Sequence, residues 1–143
     1  MEIRIKRIDK GLPLPEYKTT GAAGFDLHAR VTTSIPPRTV GYVPLNVVIE
    51  PPVGYYVALV PRSSLHKRGL MPANGFGVGD RDFCGNGDEY HAALLNFTDE
   101  PVVVERGDRI MQVVISPVVR VDFQEVDDMG HNNRGGFGTT GNK

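Results

Sequence analysis

Several features are scarce in this sequence of 143 residues, and each scarcity excludes a class of protein. There is one cysteine, Cys84, and no tryptophan. A single cysteine can form neither an intrachain disulfide nor a zinc site built on cysteine pairs. Its 16 basic and 17 acidic side chains nearly cancel, which argues against a surface that wraps nucleic acid or an anionic membrane. No apolar run is long enough to span a bilayer, and the first residues alternate apolar with charged. We therefore expect a cytoplasmic protein without nucleic-acid or membrane partners.

Short runs of β-branched residues between turn formers predict an all-β fold. Glycine and proline are frequent, at 17 and 11 residues, and no window carries apolar residues at helical spacing. The expected strands lie at residues 3–8, 40–49, 55–60, 92–97, 102–104, 110–115 and 118–121. Proline, glycine and acidic clusters such as 51–52, 106–108 and 116–117 separate them. This pattern is typical of an antiparallel barrel or jelly roll, which we expect to occupy residues 1–129.

Two segments depart from the strand pattern. Residues 63–70 begin with Ser63 and Ser64, end in basic residues and stop at Gly69, which predicts one short helix. From Gly130 onward the chain is dominated by glycine, asparagine and threonine. Such residues cannot build a core, so residues 130–143 are expected to form a flexible C-terminal arm.

Two polar segments in the first half of the chain suggest ligand contacts. Arg62 precedes the two serines at the predicted helix start, where free N–H groups and a forked cation suit an anion. Asp26 stands among small and apolar residues at 22–29. Each segment also has an ordinary reading, as a serine cap beside a surface arginine and as a turn aspartate.

Three more such segments follow. Residues 74–85 place three glycines in five positions before Asp80, which lets a backbone approach a ligand closely. Gln112 is a polar residue in an apolar strand and needs a hydrogen-bond partner. Residues 134–141 carry Phe137 among glycines and hydroxyls, a composition that could cradle phosphate and stack on a base. Taken singly, these segments are also explained by a hairpin, a structural hydrogen bond and a tail.

The order of the five segments is more specific than any one of them. Ala-Gly-x-Asp-Leu, Arg-Ser-Ser-Leu, Asn-x-x-Gly-x-x-Asp-x-Asp, Gly-Asp-Arg-Ile-x-Gln and Gly-Gly-Phe-Gly-Thr-Thr-Gly follow one another between Ala22 and Gly141. This order resembles the five-motif pattern of the trimeric dUTPase family. The resemblance implies a distorted jelly-roll barrel, assembled as a homotrimer with active sites shared between subunits. It also implies Mg²⁺-dependent hydrolysis of dUTP to dUMP and pyrophosphate, which limits uracil incorporation into DNA and supplies dUMP for dTMP synthesis.

The resemblance assigns roles to residues at the phosphate end of the substrate. Asp80 matches the catalytic base that activates the attacking water, and Gln112 matches a residue near that water and the α-phosphate. Asp26 matches an acid that reaches Mg²⁺ through water ligands. The phosphate-binding motif matches Arg62, Ser63 and Ser64.

The resemblance also implies a nucleoside pocket and an arm that closes over it. The pocket would consist of the hairpin at 77–83, with Phe83 under the deoxyribose, together with Asn74, Gly77, Val78, Gly79 and His91. Phe137 would stack on uracil from the arm. The phosphates would then be contacted by Arg134, Gly138, Thr139 and Thr140.

The sequence departs from the family pattern at four places. Phe83 replaces a usual tyrosine, and Gly79 replaces a usual β-branched residue, which predicts a looser pocket floor. Residues 86–91 form a longer run than usual, and Arg134 lies closer to Phe137 than the common spacing. Two alternatives stay open: a nucleotide enzyme of the dCTP deaminase type, or a binding protein that responds to dUTP. The deaminase pattern has an arginine where Lys67 stands and an acid in the strand at 91–97, where this chain has none.

Overall fold

The protein consists almost entirely of short antiparallel strands. The structure is a computed structural model that describes residues 1–139 and 141. Its strands are β1 Arg4–Arg7, β2 Phe25–His28, β3 Thr33–Ile35, β4 Val40–Pro44, β5 Val47–Glu50, β6 Tyr55–Pro61, β7 Leu70–Pro72, β8 Gly77–Gly79, β9 His91–Asn96, β10 Val102–Val104 and β11 Arg109–Pro117. The predicted all-β class is confirmed. In the part of the chain that is described, no helix has the length and apolar character needed to cross a membrane.

Four antiparallel sheets form the fold. The largest has the strand order β2-β11-β6-β8, and a second has the order β4-β9-β7. Two smaller sheets pair β1 with β5 and β3 with β10. Since β11 pairs with β2 on one side and β6 on the other, it joins the start, middle and end of the chain.

The core lies between the inner faces of these sheets. Side chains alternate across each strand, so one face of β9 is buried while the other is partly exposed. The fully buried side chains include Leu27, Ile35, Leu45, Ile49, Leu70, Leu94 and Ile110. Leu45, Ile49, Leu94 and Ile110 come from predicted runs, whereas Leu27, Ile35 and Leu70 come from short strands that were not predicted. β-branched and leucine side chains fill a pleated, buried surface well.

The expected strand at 118–121 is wrong. β11 continues through Pro117, and no strand is assigned from there to the end of the described chain. Val118 still donates a backbone hydrogen bond to Gly54, but Val119 is 84% exposed and Phe123 is 94% exposed. A β-branched run becomes a strand only where a neighbouring strand accepts its hydrogen bonds, and none lies beside this segment within the described chain.

The predicted helix is reduced to one 3-10 turn, Leu65–Arg68. Ser64 occupies the N-cap position without a side-chain cap hydrogen bond, so the serine-cap interpretation is wrong. Gly69 ends the turn with φ of 78°, as predicted for a left-handed stop. A turn this short adds little helix dipole, and buried Leu65 is what anchors it.

Asn96 organises the end of β9. Its side chain is fully buried, and Nδ2 donates to the carbonyls of Ile35 and Glu100 at 2.9 and 2.7 Å. Its Oδ1 accepts from the backbone N–H and the hydroxyl of Thr98. All four of its side-chain hydrogen-bond positions are used, which connects β3, β9 and the loop at 97–101.

We predict that Asn96→Ala lowers the free energy of unfolding by about 3 kcal/mol, because several buried groups lose their partners together. Denaturant titrations at matched protein concentration measure this change. The control is Asn133→Ala, an exposed residue of the arm, which should change stability by less than about 0.5 kcal/mol. Equal stability of the Asn96 variant and the parent would contradict the assigned network.

Candidate active site

A cleft of about 370 Å³ lies beside β8. It is lined by Leu59, Asn74, Gly77, Val78, Gly79, Asp80, Phe83, Glu89, Tyr90 and His91. Seven of these ten residues were assigned to the nucleoside pocket or the base position from sequence. Leu59, Glu89 and Tyr90 were not, because they carry no motif and reach the cleft only through strand pairing and the turn at 85–88.

The glycines of β8 allow its backbone to lie directly against β6. Gly77 pairs with Leu59, and a Cβ added to Gly77 would lie 3.0 Å from the Leu59 Cβ. β8 is also the last strand of its sheet in the described structure. An edge strand presents unpaired N–H and C=O groups, which can hydrogen-bond to a planar base.

Asp80 follows β8 at the mouth of the cleft. Its backbone carbonyl accepts a hydrogen bond from the Phe83 N–H at 3.2 Å, which closes a tight turn. The Asp80 side chain is exposed, and Phe83 is 39% exposed along the same cleft. The turn therefore brings a carboxylate and an aromatic ring to one ligand-sized space.

Tyr90 occupies the floor of the cleft beneath Gly79. A methyl group added to Gly79 would overlap the Tyr90 hydroxyl and lie 2.7 Å from its Cε1 atom. The expectation of a looser floor is thus wrong, because the tyrosine ring fills the space that a β-branched side chain would need. Burial raises the pKa of Tyr90 to about 12, and the negative charge of Asp80 adds to this effect. The hydroxyl therefore stays protonated at neutral pH.

Glu89 anchors the loop that carries Tyr90. Its buried carboxylate accepts two hydrogen bonds from the Arg30 guanidinium, at 2.8 and 3.0 Å, and one from the Asn46 N–H at 2.9 Å. The pKa of Arg30 is raised by its hydrogen bond to Glu89. His91 Nδ1 lies 2.9 Å from the Glu89 carbonyl, which orients the imidazole at the rim of the cleft. The lengthened run at 86–91 is thus pinned to β4 and β5.

A second polar cluster lies around Asp26 on β2. Its carboxylate is 12% exposed and sits between Arg62 and Arg109, each at 3.1 Å. Gln112 is the β11 partner of Asp26, and its Nε2 donates to the Pro61 carbonyl at 3.1 Å. Gln112 therefore has the partner that its position requires. Arg109 was not selected from sequence, although it lies within the fourth segment.

The structure brings three of the sequence segments together in one cluster, Asp26, Arg62, Arg109 and Gln112. We call it the phosphate cluster after the role that the sequence resemblance implies. The cluster contains two guanidinium groups and one carboxylate, so its net charge is positive even when Asp26 is ionised. Ser63 and Ser64 are exposed beside Arg62. Among the described residues, no group of three or more carboxylate, histidine or cysteine side chains could hold a metal ion.

Leu59 and the β8 glycines at the cleft lie on the opposite face of the large sheet from the phosphate cluster. Gln112 pairs with Asp26 on one side and Val60 on the other, so these three side chains share a face. Gly77 pairs with Leu59, and Leu59 pairs with Val113. Leu59 and Val113 are each one residue away from Val60 and Gln112 along their strands, so they lie on the other face of the sheet. None of the phosphate-cluster residues lines the cleft.

The described residues of the arm do not line the cleft. Phe137 is fully exposed with φ of 52°, and the Thr139 N–H donates to the Gly136 carbonyl in a turn. The lining of the cleft includes none of Arg134, Phe137, Gly138 and Thr139. Thr140 lies outside the described residues.

Comparisons with known proteins agree on one family. The family model for dUTPase matches residues 10–141. A deoxyuridine 5'-triphosphate nucleotidohydrolase of Anaeromyxobacter sp. (strain Fw109-5) is 40% identical over 145 residues, covering 97% of each chain. The crystal structure of dUTPase from Streptococcus mutans shares 33% identity, covers 83% of this chain and 98% of that one, and superposes with a TM-score of 0.76.

A more distant structure shares the fold. It is a variant dUTPase from phage phi11 of S. aureus, described as coordinating a structural Mg(II) ion, with 17% identity, a TM-score of 0.80, and coverage of 90% of this chain and 99% of that one. The ordered sequence segments, the all-β fold and the matched relatives agree. This chain belongs to the dUTPase family.

Proposed function

We propose that this protein hydrolyses dUTP to dUMP and pyrophosphate, with Mg²⁺ as cofactor. The observation that carries the proposal is the cleft in which an exposed carboxylate, Asp80, and an aromatic ring, Phe83, flank an unpaired strand edge. Relatives that share at least a third of the sequence are named for this reaction. The activity would limit uracil incorporation into DNA and supply dUMP for dTMP synthesis.

Base and sugar recognition follow from the geometry of β8. The backbone N–H and C=O groups of Gly77, Val78 and Gly79 can copy a base-pairing edge, and the Asn74 side chain adds a donor and an acceptor. The close approach of β8 to β6 leaves little room for a 5-methyl group on the base. Phe83 places a flat apolar surface beside the sugar, so a 2′-hydroxyl would lose its hydrogen bonds to water there. His91 lies at the rim.

The reaction requires a base, a nucleophile and a leaving group. Asp80 removes a proton from water, and the water oxygen forms a bond to the α-phosphorus. The bond between that phosphorus and the bridging oxygen breaks, and pyrophosphate leaves with the electron pair. A carboxylate within reach of the water can accept this proton as a general base. Gln112 can hydrogen-bond to the water or to an α-phosphate oxygen once substrate is bound.

The phosphate cluster suits a triphosphate that carries its own metal ion. Magnesium binds through one or two carboxylates plus phosphate oxygens and keeps several waters. Asp26 fits the role of a carboxylate that contacts those waters, and Arg62 and Arg109 can turn toward phosphate oxygens. When bound, Mg²⁺ supplies positive charge that stabilises the departing pyrophosphate. The exposed hydroxyls of Ser63 and Ser64 complete the donor set.

An active site shared between subunits would let the cleft and the phosphate cluster bind the same substrate. Because Leu59 and Gly77 at the cleft face away from the phosphate cluster, and no residue belongs to both, one substrate is best contacted by the cleft of one subunit and the phosphate cluster of another. The segment 118–129 also exposes Val118, Val119, Val121, Phe123, Val126 and Met129. Exposed apolar residues of this number favour contact with another copy. We therefore assign a homotrimer, with the arm closing over a site of a neighbouring subunit.

The arm supplies the last contacts. Phe137 packs on nothing within the described chain, so its ring is available to stack on uracil. Arg134, Gly138, Thr139 and Thr140 would lie near the terminal phosphates once the arm is closed. Gly135 and Gly138, close to Phe137 in the chain, take positive φ, which lets the arm bend sharply around a ligand.

Deamination of dCTP is disfavoured because β9, which follows the hairpin, contains no acidic side chain. A regulatory role that responds to dUTP is compatible with hydrolysis and would use the same arm.

The direct test is pyrophosphate release with dUTP, dCTP, UTP and dTTP, with and without EDTA. We expect dUTP to be strongly preferred and chelation to abolish turnover. Ammonia release from dCTP would support the deaminase reading instead.

Asp80→Asn should lower dUTP turnover by at least about 100-fold while nucleotide binding persists, because it removes the base but keeps the size. Steady-state kinetics and a dUMP titration measure the two effects. Asp82→Asn is the matched control, since this neighbouring carboxylate does not line the cleft and should keep most activity. The assignment would be wrong if the Asp80 variant retained turnover.

Phe137→Ala should lower kcat/KM for dUTP by about 5- to 100-fold, because base–aromatic stacking contributes about 1–3 kcal/mol. Phe137→Trp keeps a stacking ring and should retain activity. The unfolding midpoint should stay the same in both variants. Lost stability with unchanged kcat/KM would show that Phe137 packs within the folded protein instead.

The parent protein should elute as a species of about 47 kDa, three times the 15.6 kDa chain, when light scattering is recorded during gel filtration. Phe123→Asp should shift this species toward the monomer mass, because burial of a charge at a subunit contact is costly. Gln124→Asp places the same charge one residue away and should keep the trimer. A monomeric parent with full activity would refute the shared site.

A further inference from the structure

Tyr90 contacts two parts of the cleft, Phe83 and the space beside Gly79. The family pattern gives these two positions separate roles. Its ring lies edge-on to Phe83, with centroids 5.4 Å apart and planes at 81°. Its Cε1 and Cζ atoms also lie 2.7 and 2.8 Å from the position that a Cβ at residue 79 would take. Gly79 and Tyr90 thus share one volume, and only one of them can carry a side chain that fills it.

The position of Tyr90 is rigid. Its N–H donates to the Val47 carbonyl at 3.0 Å, and its carbonyl accepts from the Leu45 N–H at 2.9 Å. The residue before it, Glu89, is held by Arg30 and the Asn46 N–H. Tyr90 is 6% exposed, so its ring cannot turn away without disturbing the core.

The Tyr90 hydroxyl is a buried polar atom with no hydrogen-bond partner among the described residues. The edge-to-face contact depends on the ring and not on the oxygen. The hydroxyl is the atom nearest to a Cβ at residue 79, but the ring atoms Cε1 and Cζ alone already lie too close for a side chain there. Phenylalanine at this position would therefore keep both contacts while removing an unsatisfied group. This separates what the ring does from what the hydroxyl does.

We propose that Tyr90, paired with Gly79, is a positioning residue that sets the Phe83 ring and thereby determines the preference of the cleft for deoxyribose over ribose. The proposal rests on the proposed function, because it concerns the sugar of the bound nucleotide. The Phe83 ring is partly exposed to the cleft. It can exclude a 2′-hydroxyl only if a neighbouring side chain holds the ring in place. Tyr90 provides that support from the position just before β9, in the space that Gly79 leaves.

The test is the ratio of kcat/KM for dUTP to kcat/KM for UTP in a set of variants, each beside its unfolding midpoint. Tyr90→Leu should lower the ratio by about three- to tenfold, the range expected for loss of an aromatic edge contact. Tyr90→Phe should keep the ratio within about twofold and unfold at or above the parent's midpoint, because the buried hydroxyl has no partner. Phe83→Ala should lower the ratio at least as far as Tyr90→Leu.

Shared volume is tested by adding Gly79→Ala to the parent and to Tyr90→Leu. Alone it should lower the ratio and the midpoint, because the new methyl displaces the tyrosine ring. In the Tyr90→Leu background Gly79→Ala should lower the ratio and the midpoint less than it does in the parent. The effects of the two changes should therefore be non-additive. If Tyr90→Leu does not fold, Tyr90→Met offers similar volume without the ring and takes its place.

Three outcomes would overturn the proposal. They are an unchanged ratio in Tyr90→Leu or Tyr90→Met, a loss in Tyr90→Phe as large as in Tyr90→Leu, and additivity with Gly79→Ala. Absence of dUTP turnover in the parent would instead count against the proposed function. The two failures are therefore distinguishable in one set of assays.

Discussion

The register of β11 is the constraint on which the rest of the structure depends. This strand lies between β2 and β6, and its pairing sets Gln112 opposite both Asp26 and Val60. Side chains alternate between the faces of a sheet, so a slip by one residue would bury Gln112 and expose Val113. The same register brings Arg62, at the end of β6, beside Asp26. One strand thus assembles a cationic cluster from segments that are distant in sequence.

The cleft depends on a different kind of constraint, which is the absence of a side chain at two of the three positions of β8. Gly77 and Gly79 let the strand approach β6 and Tyr90 more closely than any substituted residue could. The Glu89–Arg30 pair then holds the far wall, and Asn46 satisfies the same carboxylate. A buried ion pair contributes to stability only when its remaining hydrogen bonds are met, and here they are. Rigid walls and an exposed Asp80 between them suit a reaction that requires a correctly oriented water.

Sequence reasoning predicted the parts of the site that stand in compact motifs. Asn74, the β8 glycines, Asp80, Phe83 and His91 all line one cleft, and the predicted strands at 55–60, 92–97 and 110–115 are present. It failed at 118–121, where valines without a neighbouring strand stay exposed, and at Ser64, which caps nothing. It also missed Tyr90, because a single tyrosine after an acidic turn carries no periodic or motif signal. Its role follows only from the glycine opposite it.

The sequence by itself determined the all-β class, the family and the residue types available for chemistry, because these depend on local propensity and on the order of short motifs. Tertiary structure alone decided which groups meet. It placed Asp26 between Arg62 and Arg109, filled the space beneath Gly79 with Tyr90, and set the β8 glycines and the phosphate cluster on opposite faces of one sheet. Strand register and side-chain volume control these contacts, and both arise from pairing between residues far apart in the chain.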